Sequence, residues 1–435
     1  MTPDVLAIVL LFVLFILLGS GIWIALALIG VGATGMMLFS SAPIGKVMAT
    51  AVFSSSNSWA LTSLPLFVWM AEILFRTRLS EDMFKGLAPW VTRLPGRLLH
   101  VNIIGCGIFA AVSGSSAATC VTIGKMSIPE LMRRGYDERL AIGTLAGSGT
   151  LGLMIPPSIM LIVYGLVAEV SIARLFIAGV VPGILLVVLF MGYVVAWALL
   201  NPDRVPPSDI RMSLSEKLYN SRRLIPLVFL IVAVIASIYA GYATPTEAAA
   251  IGVLGSLGIA VATRSFTWAN FLDGLMGATR TSCMITLILA GAAFLAMAMG
   301  FTGIPRRLAA EIGSWQLSVV SLILALTALY IVLGCFLDGI SMVVLTTSVI
   351  QPLVVQAGID VVWYGIFIVL VVEMAQITPP VGFNLFVLQG MTGRNIFYIA
   401  RASLPFFFLL GLAIIIIGAF PQLVTFLPNH VLSRG

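Results

Sequence analysis

The sequence predicts an all-α polytopic membrane protein, built as an inverted-topology repeat with two re-entrant hairpins and two broken helices. Three observations carry this. The first is composition: of 435 residues, 60% are hydrophobic and 9% are charged, against roughly 45–50% and 25% in soluble domains. With a mean hydropathy of +1.13, most of the chain has lipid as its solvent. Soluble enzymes, nucleic-acid binders and disordered scaffolds are thereby excluded. The second is the form of the apolar runs. Val5 to Leu18 and Leu404 to Phe420 are apolar on every face, whereas barrel strands would be short and alternating. The third is an internal repeat: Pro129, Gly135, Asp137, Pro156 and Pro157 return as Pro352, Gly358, Asp360, Pro379 and Pro380, all at one offset of 223 residues. Upstream, Gly107 and Phe109 match Gly334 and Phe336 at an offset of 227, so the first copy holds four more residues between positions 109 and 129.

The first copy is expected over residues 1–200. Apolar spans fall at 4–19, 22–40 and 60–75, followed by a polar or amphipathic arm at 76–97, a hairpin at about 98–132, a broken helix at about 140–168 and a last span at 176–200. The N-terminal Met-Thr-Pro-Asp has no basic segment before its apolar run, so the first helix is expected to be retained, not cleaved as a signal. Residues 201–223, with Asn201, Pro202, Pro206 and Pro207, read as a cytoplasmic linker. The second copy, 224–435, repeats the order with spans at 224–242, 247–263 and 281–300, an arm from about 303, a hairpin at about 316–360, a broken helix at about 361–391 and a span at 403–427. Five crossings per copy turn the second copy over.

Charge agrees with that inversion. Although the net charge is +6, Lys and Arg sit between apolar spans, where they mark cytoplasmic loops and not a polyanion partner. Arg93 and Arg97 precede the first hairpin and Arg133, Arg134 and Arg139 follow it, which puts both its ends inside. The stretch 316–360 has no Lys or Arg, which puts its ends outside. Arg204, Arg211, Lys217, Arg222 and Arg223 mark the linker as internal; Arg264, Arg280, Arg394 and Arg401 mark later inner loops. Arg306 and Arg307 fall on the predicted outer side, against the rule.

Two segments interrupt membrane helices with residues that do not favour one: Ser113-Gly114-Ser115-Ser116, and Gly147-Ser148-Gly149-Thr150 followed by Ile155-Pro156-Pro157-Ser158. Backbone freed inside a membrane must find partners within the protein, so such breaks line a cavity or coordinate something. Serine hydroxyls and backbone carbonyls suit a small hard cation, and half-helix N-termini suit an anionic substrate. The second copy offers Asp338-Gly339-Ile340-Ser341 and Thr378-Pro379-Pro380-Val381-Gly382-Phe383-Asn384. For a single serine, close helix packing is the simpler reading; a Pro-Pro pair beside Gly and Ser, present twice at one spacing, asks for more.

Three ionisable residues, Glu72, Asp338 and Glu373, lie at or near apolar spans, where charge is functional by default. Asp338 suits either a cation site or a half-helix cap. Glu373 suits either a proton or ion participant or a hydrogen-bonded structural carboxyl, and Glu72, near Arg76 and Arg78, suits a span-end salt bridge. Cys106, Cys120, Cys283 and Cys335 form no CxxC pair and read as packing residues. With only His100 and His430, no histidine metal centre or relay can be built. No GxxxxGK[ST] loop occurs, which excludes ATP as the energy source and leaves ion gradients.

The stretches FAAVSGSSAAT (109–119), GTLGLMIPPSIMLIVYG (149–165), YATPTEAAAIGV (242–253) and ITPPVGFNLFV (377–387) resemble the large membrane (permease) subunit of tripartite ATP-independent periplasmic (TRAP) transporters, the DctM-like family. The resemblance covers nearly the whole chain. It implies a sodium-driven elevator-type importer in the bacterial inner membrane, multi-pass, to which a soluble periplasmic substrate-binding protein delivers an organic acid. It also implies a small four-helix membrane subunit as partner. Carried over residue by residue, a first sodium (Na+) site resembles Ser113 and Ser115 with Gly152, Ile155 and Pro156, the last three through carbonyls. A second resembles Gly339 and Ser341 with Thr378, Pro379 and the Val381 backbone. Gln376 stands where the family's pattern has a glycine or small apolar residue. Ser116, Thr150, Ser158 and Asn384 are the expected substrate contacts. Two other readings stand beside this one: a stand-alone ion-coupled organic anion transporter without a soluble partner, and an intramembrane serine protease using Ser113 or Ser115. The protease wants Gly-x-Ser-Gly and a histidine base, but the chain reads Ala-Val-Ser-Gly with neither histidine placed to serve, so it is not expected to be an enzyme.

Overall fold

The structure, a computed structural model, describes residues 3–431 other than 78, 208–211, 304–306, 308–310, 312–317, 335–336 and 380–381. Among the described residues every regular element is a helix. In the first copy α1 (Pro3–Gly19) and α2 (Ile24–Phe39) fill the first two expected spans. They are followed by α3 (Ile44–Ser56), a helix absent from the sequence expectation, which meets the single turn Trp59–Thr62 and α4 (Ser63–Phe75) at a bend of 59°. The run Ser54-Ser55-Ser56-Asn57-Ser58 explains the bend: short polar side chains compete for the backbone and break the helix just before the span. The arm is α5 (Leu79–Val91).

The first hairpin is α6 (Leu99–Ser113) and α7 (Ser116–Arg133), turned at Gly114 with φ +57°. Next comes α8 (Glu138–Thr150), a tight turn over Leu151–Leu153, a break, and α9 (Ile159–Val167), followed by α10 (Ile172–Leu200). In the linker, α11 (Leu214–Ser221) opens on a capping box between Ser213 and Glu216. The second copy continues with α12 (Ile225–Tyr239) and α13 (Pro245–Ala262), the latter opened by a Thr244–Glu247 capping box with Pro245 in its first turn.

The expected span 281–300 is the C-terminal part of α14 (Trp268–Thr302), a continuous helix of 35 residues. At about 50 Å it outreaches the roughly 30 Å hydrocarbon core, and in sequence order it is the counterpart of the bent pair α3 and α4. The arm expected after 303 falls largely outside the described residues, as does Arg306, whereas Arg307 is exposed. The second hairpin is α15 (Val319–Gly334) with α16 (Gly339–Gln356), and the second broken helix is α17 (Val361–Gln376) with α18 (Phe383–Thr392). The expected last span 403–427 is two helices, α19 (Ile396–Ala419) and α20 (Gln422–Val431), because Phe420-Pro421 ends the first.

Matched positions of the two copies fold alike. Gly135 and Gly358 take φ of +77° and +74°, and the next matched pair, Asp137 and Asp360, each cap a helix by accepting a backbone N–H at 2.9 Å, from Leu140 and Trp363. Two groups of helices result. In one, α14 packs on α2, α3 and α4, and α13 packs on α4 and α12. In the other, α8 packs on α6, α7 and α19, while α17 is enclosed by α10, α15, α16 and α19. Leu140 to Thr150 of α8 and Val362 to Gln376 of α17 are buried without exception, as expected of helices lying at the inside of a bundle. Outward faces carry Phe12, Trp23, Phe229, Leu254, Phe408 and Ile415, apolar groups suited to lipid.

Several of the basic loops touch one another. Arg97 donates to the Pro206 carbonyl, Arg223 pairs with Asp82 at 3.0 Å, Arg204 with Asp137 at 3.7 Å, and Arg139 donates to the Arg401 carbonyl at 3.2 Å. Arg394 grips Glu138 through two nitrogens at 2.7 and 2.8 Å, and that carboxylate pushes the pKa of the guanidinium up. Elsewhere, Gln351 donates to the Ala168 carbonyl at 3.1 Å and Tyr164 to the Val361 carbonyl at 2.7 Å. The turn at Gly135 belongs to the basic group, and the turn at Gly358 adjoins the second.

Candidate functional site

Each hairpin tip meets the break of its own copy. At the first junction α6 must stop at Ser113 and the chain reverse at once, which Gly114 permits in its left-handed conformation. A Cβ on Gly114 would stand 3.0 Å from the Ile159 nitrogen and 3.1 Å from the Pro157 carbonyl oxygen. The tip therefore rests on the break, and the Ile159 N–H donates to the Gly114 carbonyl at 3.4 Å. From the other side Gly152 closes in: a Cβ there would lie 2.5 Å from the Ser115 carbonyl oxygen and 2.8 Å from Thr119 Oγ1. Ser113, Ser115 and Gly152 are thus brought together. Ile155 and Pro156 follow in the same break, packed towards α10 at Gly183 and Gly179.

The oxygens at this junction form one neutral cluster. Ser113 Oγ lies 2.6 Å from Thr119 Oγ1, Thr119 Oγ1 donates to the Ser115 carbonyl at 2.8 Å, and Ser113 Oγ approaches the same carbonyl at 3.3 Å. Ser115 contributes chiefly that carbonyl, since its hydroxyl caps α7 by facing the Ala118 N–H at 3.5 Å. Thr119 is not among the residues expected from sequence. Its signal is nonetheless there: a hydroxyl four residues after Ser115 falls on the same face of a helix that Ser115 begins. Neutral oxygens packed so closely suit a desolvated monovalent cation.

The second junction differs in charge. Asp338 caps α16, its Oδ2 accepting from the Ile340 N–H at 3.1 Å and the Ser341 N–H at 3.2 Å, while the Ser341 hydroxyl donates to Oδ1. Of the two roles open to Asp338, the cap is observed. Asp338 also lines a cavity of about 40 Å³ together with Leu337, Gly339, Val372, Gln376 and Phe383, which is room for a water or an ion. Gln376 takes part directly: a Cβ on Gly339 would lie 3.3 Å from Gln376 Nε2, and Gln376 Oε1 is buried without a partner. Thr378 turns back on its helix, donating to the Met374 carbonyl at 2.7 Å. Thr378 and Pro379 follow α17 in the break without lining this cavity, and Val381 lies outside the described residues.

The expected substrate contacts are spread over the tip and break of the first copy, the end of α8 and the start of α18. Thr150 ends α8 and Asn384 opens α18; both are fully buried, and a Cβ on the adjacent Gly149 would sit 3.5 Å from Asn384 Nδ2. Neither amide atom of Asn384 has a hydrogen-bond partner, so it has two polar atoms to offer. Ser116 is buried in the first turn of α7. Ser158 is engaged locally, capping α9 through the Leu161 N–H at 3.3 Å and donating to the Leu153 carbonyl.

The remaining candidates resolve simply. Glu72 pairs with Arg76, whose guanidinium also donates to the Asp273 carbonyl at 3.3 Å. His100 bonds the Pro95 carbonyl at 2.6 Å. Cys106 and Cys120 are buried free thiols, Cys283 is exposed, and Cys335 lies outside the described residues. Among the described residues no group of His, Cys, Asp or Glu has metal-binding geometry.

The family described as "Tripartite ATP-independent periplasmic transporter, DctM component" matches residues 8–423. The C4-dicarboxylate TRAP transporter large permease protein DctM of Pseudomonas aeruginosa is 32% identical over 399 residues, 92% of this chain and 92% of that protein. The ectoine/5-hydroxyectoine TRAP transporter large permease protein UehC of Ruegeria pomeroyi is 31% identical over 408 residues, 92% and 93% of the two chains. In fold, the solved Alcanivorax borkumensis YdaH transporter is similar at a TM-score of 0.65 and 12% identity, over 94% of this chain and 98% of that one. On the extent of the family match and these identities, the chain belongs to the DctM family, the large permease component of TRAP transporters.

Proposed function

We propose that this chain is the large transmembrane subunit of a sodium-coupled importer of an organic acid in a bacterial inner membrane. It works with a small membrane subunit and a soluble periplasmic binding protein. The observation that carries the sodium reading is the neutral oxygen cluster of Ser113, Ser115 and Thr119 against the Gly152 backbone. A sodium ion exchanging its water shell for hydroxyl and carbonyl oxygens needs that kind of donor set. The second junction adds a carboxylate, Asp338, beside a cavity of ion size.

An anionic substrate is favoured by the helix starts. α7, α9 and α18 all begin at a hairpin tip or a break, with their positive ends inside the helix group built around α8 and α17. The similar Pseudomonas protein is named for C4-dicarboxylates, which fits that polarity. The tripartite description of the family favours a soluble partner over a stand-alone transporter. We read residues 1–200 and 224–435 as two copies in opposite orientation, and the group around α8 and α17 as the part that slides against α1–α4 and α12–α14.

Purified chain and small subunit in proteoliposomes test this. Uptake of a radiolabelled organic acid should require both an inward sodium gradient and the cognate binding protein. Equal uptake on potassium, or uptake independent of the binding protein, would refute it.

A further inference from the structure

Near the meeting of the two broken helices lies a carboxyl group with no opposite charge beside it. Glu373 is fully buried on α17, which is enclosed along its length. Its Oε2 lies 3.3 Å from Oγ1 of Thr150, the last residue of α8, and its Oε1 has no partner. The two residues are 223 positions apart, the interval that relates the two copies, so they are equivalent positions in direct contact.

The hydrogens of this pair favour one state. The Thr150 hydroxyl has one hydrogen. Two acceptors lie within its reach, the Gly147 carbonyl at 2.8 Å and Glu373 Oε2 at 3.3 Å, and the shorter contact is the one to Gly147. With the hydrogen in that shorter bond, Thr150 presents lone pairs to Glu373, and two oxygens without a hydrogen between them do not bond. A proton on Glu373 Oε2 turns the contact into a hydrogen bond.

The surroundings agree, because an ionised carboxylate buried in apolar packing needs a cation or several donors. On the elements packed against α17, the charged or titratable groups are few. Arg174 of α10 is bonded to Asn429, and Arg401 of α19, His430 of α20 and Asp338 at the start of α16 are exposed at helix ends. Tyr164 of α9 donates to the Val361 carbonyl, Tyr330 of α15 is paired with Tyr364, and Tyr193 of α10 packs on Phe406. Tyr398 of α19 lies under Arg394, and at the far end of α8 Glu138 is paired with that arginine while Arg139 donates to the Arg401 carbonyl.

We propose that Glu373 is a built-in proton site: a neutral carboxylic acid that donates to Thr150 and holds α8 and α17 together beside the two breaks. It is a positioning residue. It joins the two copies by a bond that places no net charge inside the membrane, so the group can move without carrying an ion of its own there.

Infrared spectroscopy of the purified full chain, at a mildly alkaline pH where exposed carboxyls are ionised, reads this directly and needs no transport. The wild type should show the carbonyl stretch of a protonated carboxylic acid. Glu373→Gln should delete that band, and Thr150→Val should shift it by removing the acceptor. In uptake, Glu373→Gln supplies the same donor and should stay within about twofold of wild type, whereas Glu373→Ala should lose roughly tenfold. Absence of the band, a band unchanged in Glu373→Gln, or one that sodium abolishes would overturn the proposal, as would a loss in Glu373→Gln equal to that in Glu373→Ala. Should Glu373→Gln fail to fold, an unshifted band in Thr150→Val would overturn it alone.

Discussion

A hydroxyl in a membrane sequence announces that it needs a partner, not which one it has. Ser113, Ser115, Ser158 and Ser341 are all legible as polar groups at helix breaks, yet they end in different employment: Ser113 in the oxygen cluster, Ser158 in a cap, and Ser341 bonded to Asp338. The difference lies in which backbone N–H or carbonyl is nearest, a property of the folded turn. Thr119 is marked in the sequence only by its spacing from Ser115, because its partner, the Ser115 carbonyl, belongs to the backbone. Thr119→Val keeps the shape of the side chain and removes the oxygen. Since a neutral hydrogen-bonding group contributes about 1–1.5 kcal/mol, the sodium concentration for half-maximal uptake should rise roughly tenfold. The exposed Thr50, which bonds only its own helix at the Lys46 carbonyl, provides the control: Thr50→Ala should leave that concentration unchanged. An unchanged value in Thr119→Val would take this hydroxyl out of the site.

At the scale of elements, the chain reads well where hydrophobicity and breaker residues act together. Helix ends fall where Gly114 turns the chain and where Asp137 and Asp360 cap the next helices, because such residues act locally. The elements that escape are those whose limits are set by packing: α3, whose face is covered by α14, and the continuity of α14 through residues 268–280. The contact between hairpin and break is likewise tertiary and depends on the absent side chain of Gly152. In Gly152→Ala a methyl would stand 2.5 Å from the Ser115 carbonyl oxygen, so tip and break must part. The expected outcome is a loss of stability of about 1–3 kcal/mol, typical of overpacking, together with a weakened sodium dependence. Gly192, inside α10, is surrounded by open space, so that an added Cβ would meet nothing within 4 Å. It should by contrast accept alanine with a gain of up to roughly 1 kcal/mol. Thermal unfolding of the two variants side by side distinguishes a local clash from a general intolerance of glycine replacement.

For the whole molecule the question is orientation, which rests on charge and on which loops touch. Arg-rich loops distant in sequence are bonded to one another: 97 to 206, 82 to 223, 137 to 204, 139 to 401. Such grouping is what the positive-inside rule demands of loops sharing the cytoplasmic face, and no single loop reveals it. The first hairpin's C-terminal end is part of that group. The second hairpin's end is not, since Gln351 reaches the Ala168 carbonyl and the next helix begins where Tyr164 bonds Val361. A polar contact between side chains also ties a hairpin arm to its broken helix in each copy: Asn102 to Thr144 at 3.0 Å in the first, and Tyr330 to Tyr364 at 2.8 Å in the second. Each hairpin should therefore keep its orientation relative to its own broken helix during any movement. Arg133 and Gln356 occupy equivalent positions, 223 apart, and both are exposed just before the matched glycine turns. With the native cysteines replaced, Arg133→Cys and Gln356→Cys introduce one thiol each without disturbing the left-handed glycines. A membrane-impermeant maleimide should label Gln356→Cys in intact cells with the outer membrane opened, and should label Arg133→Cys only once the inner membrane is breached. Labelling of both from one face would rule out the inversion, and with it the expectation that five crossings per copy turn the second half over.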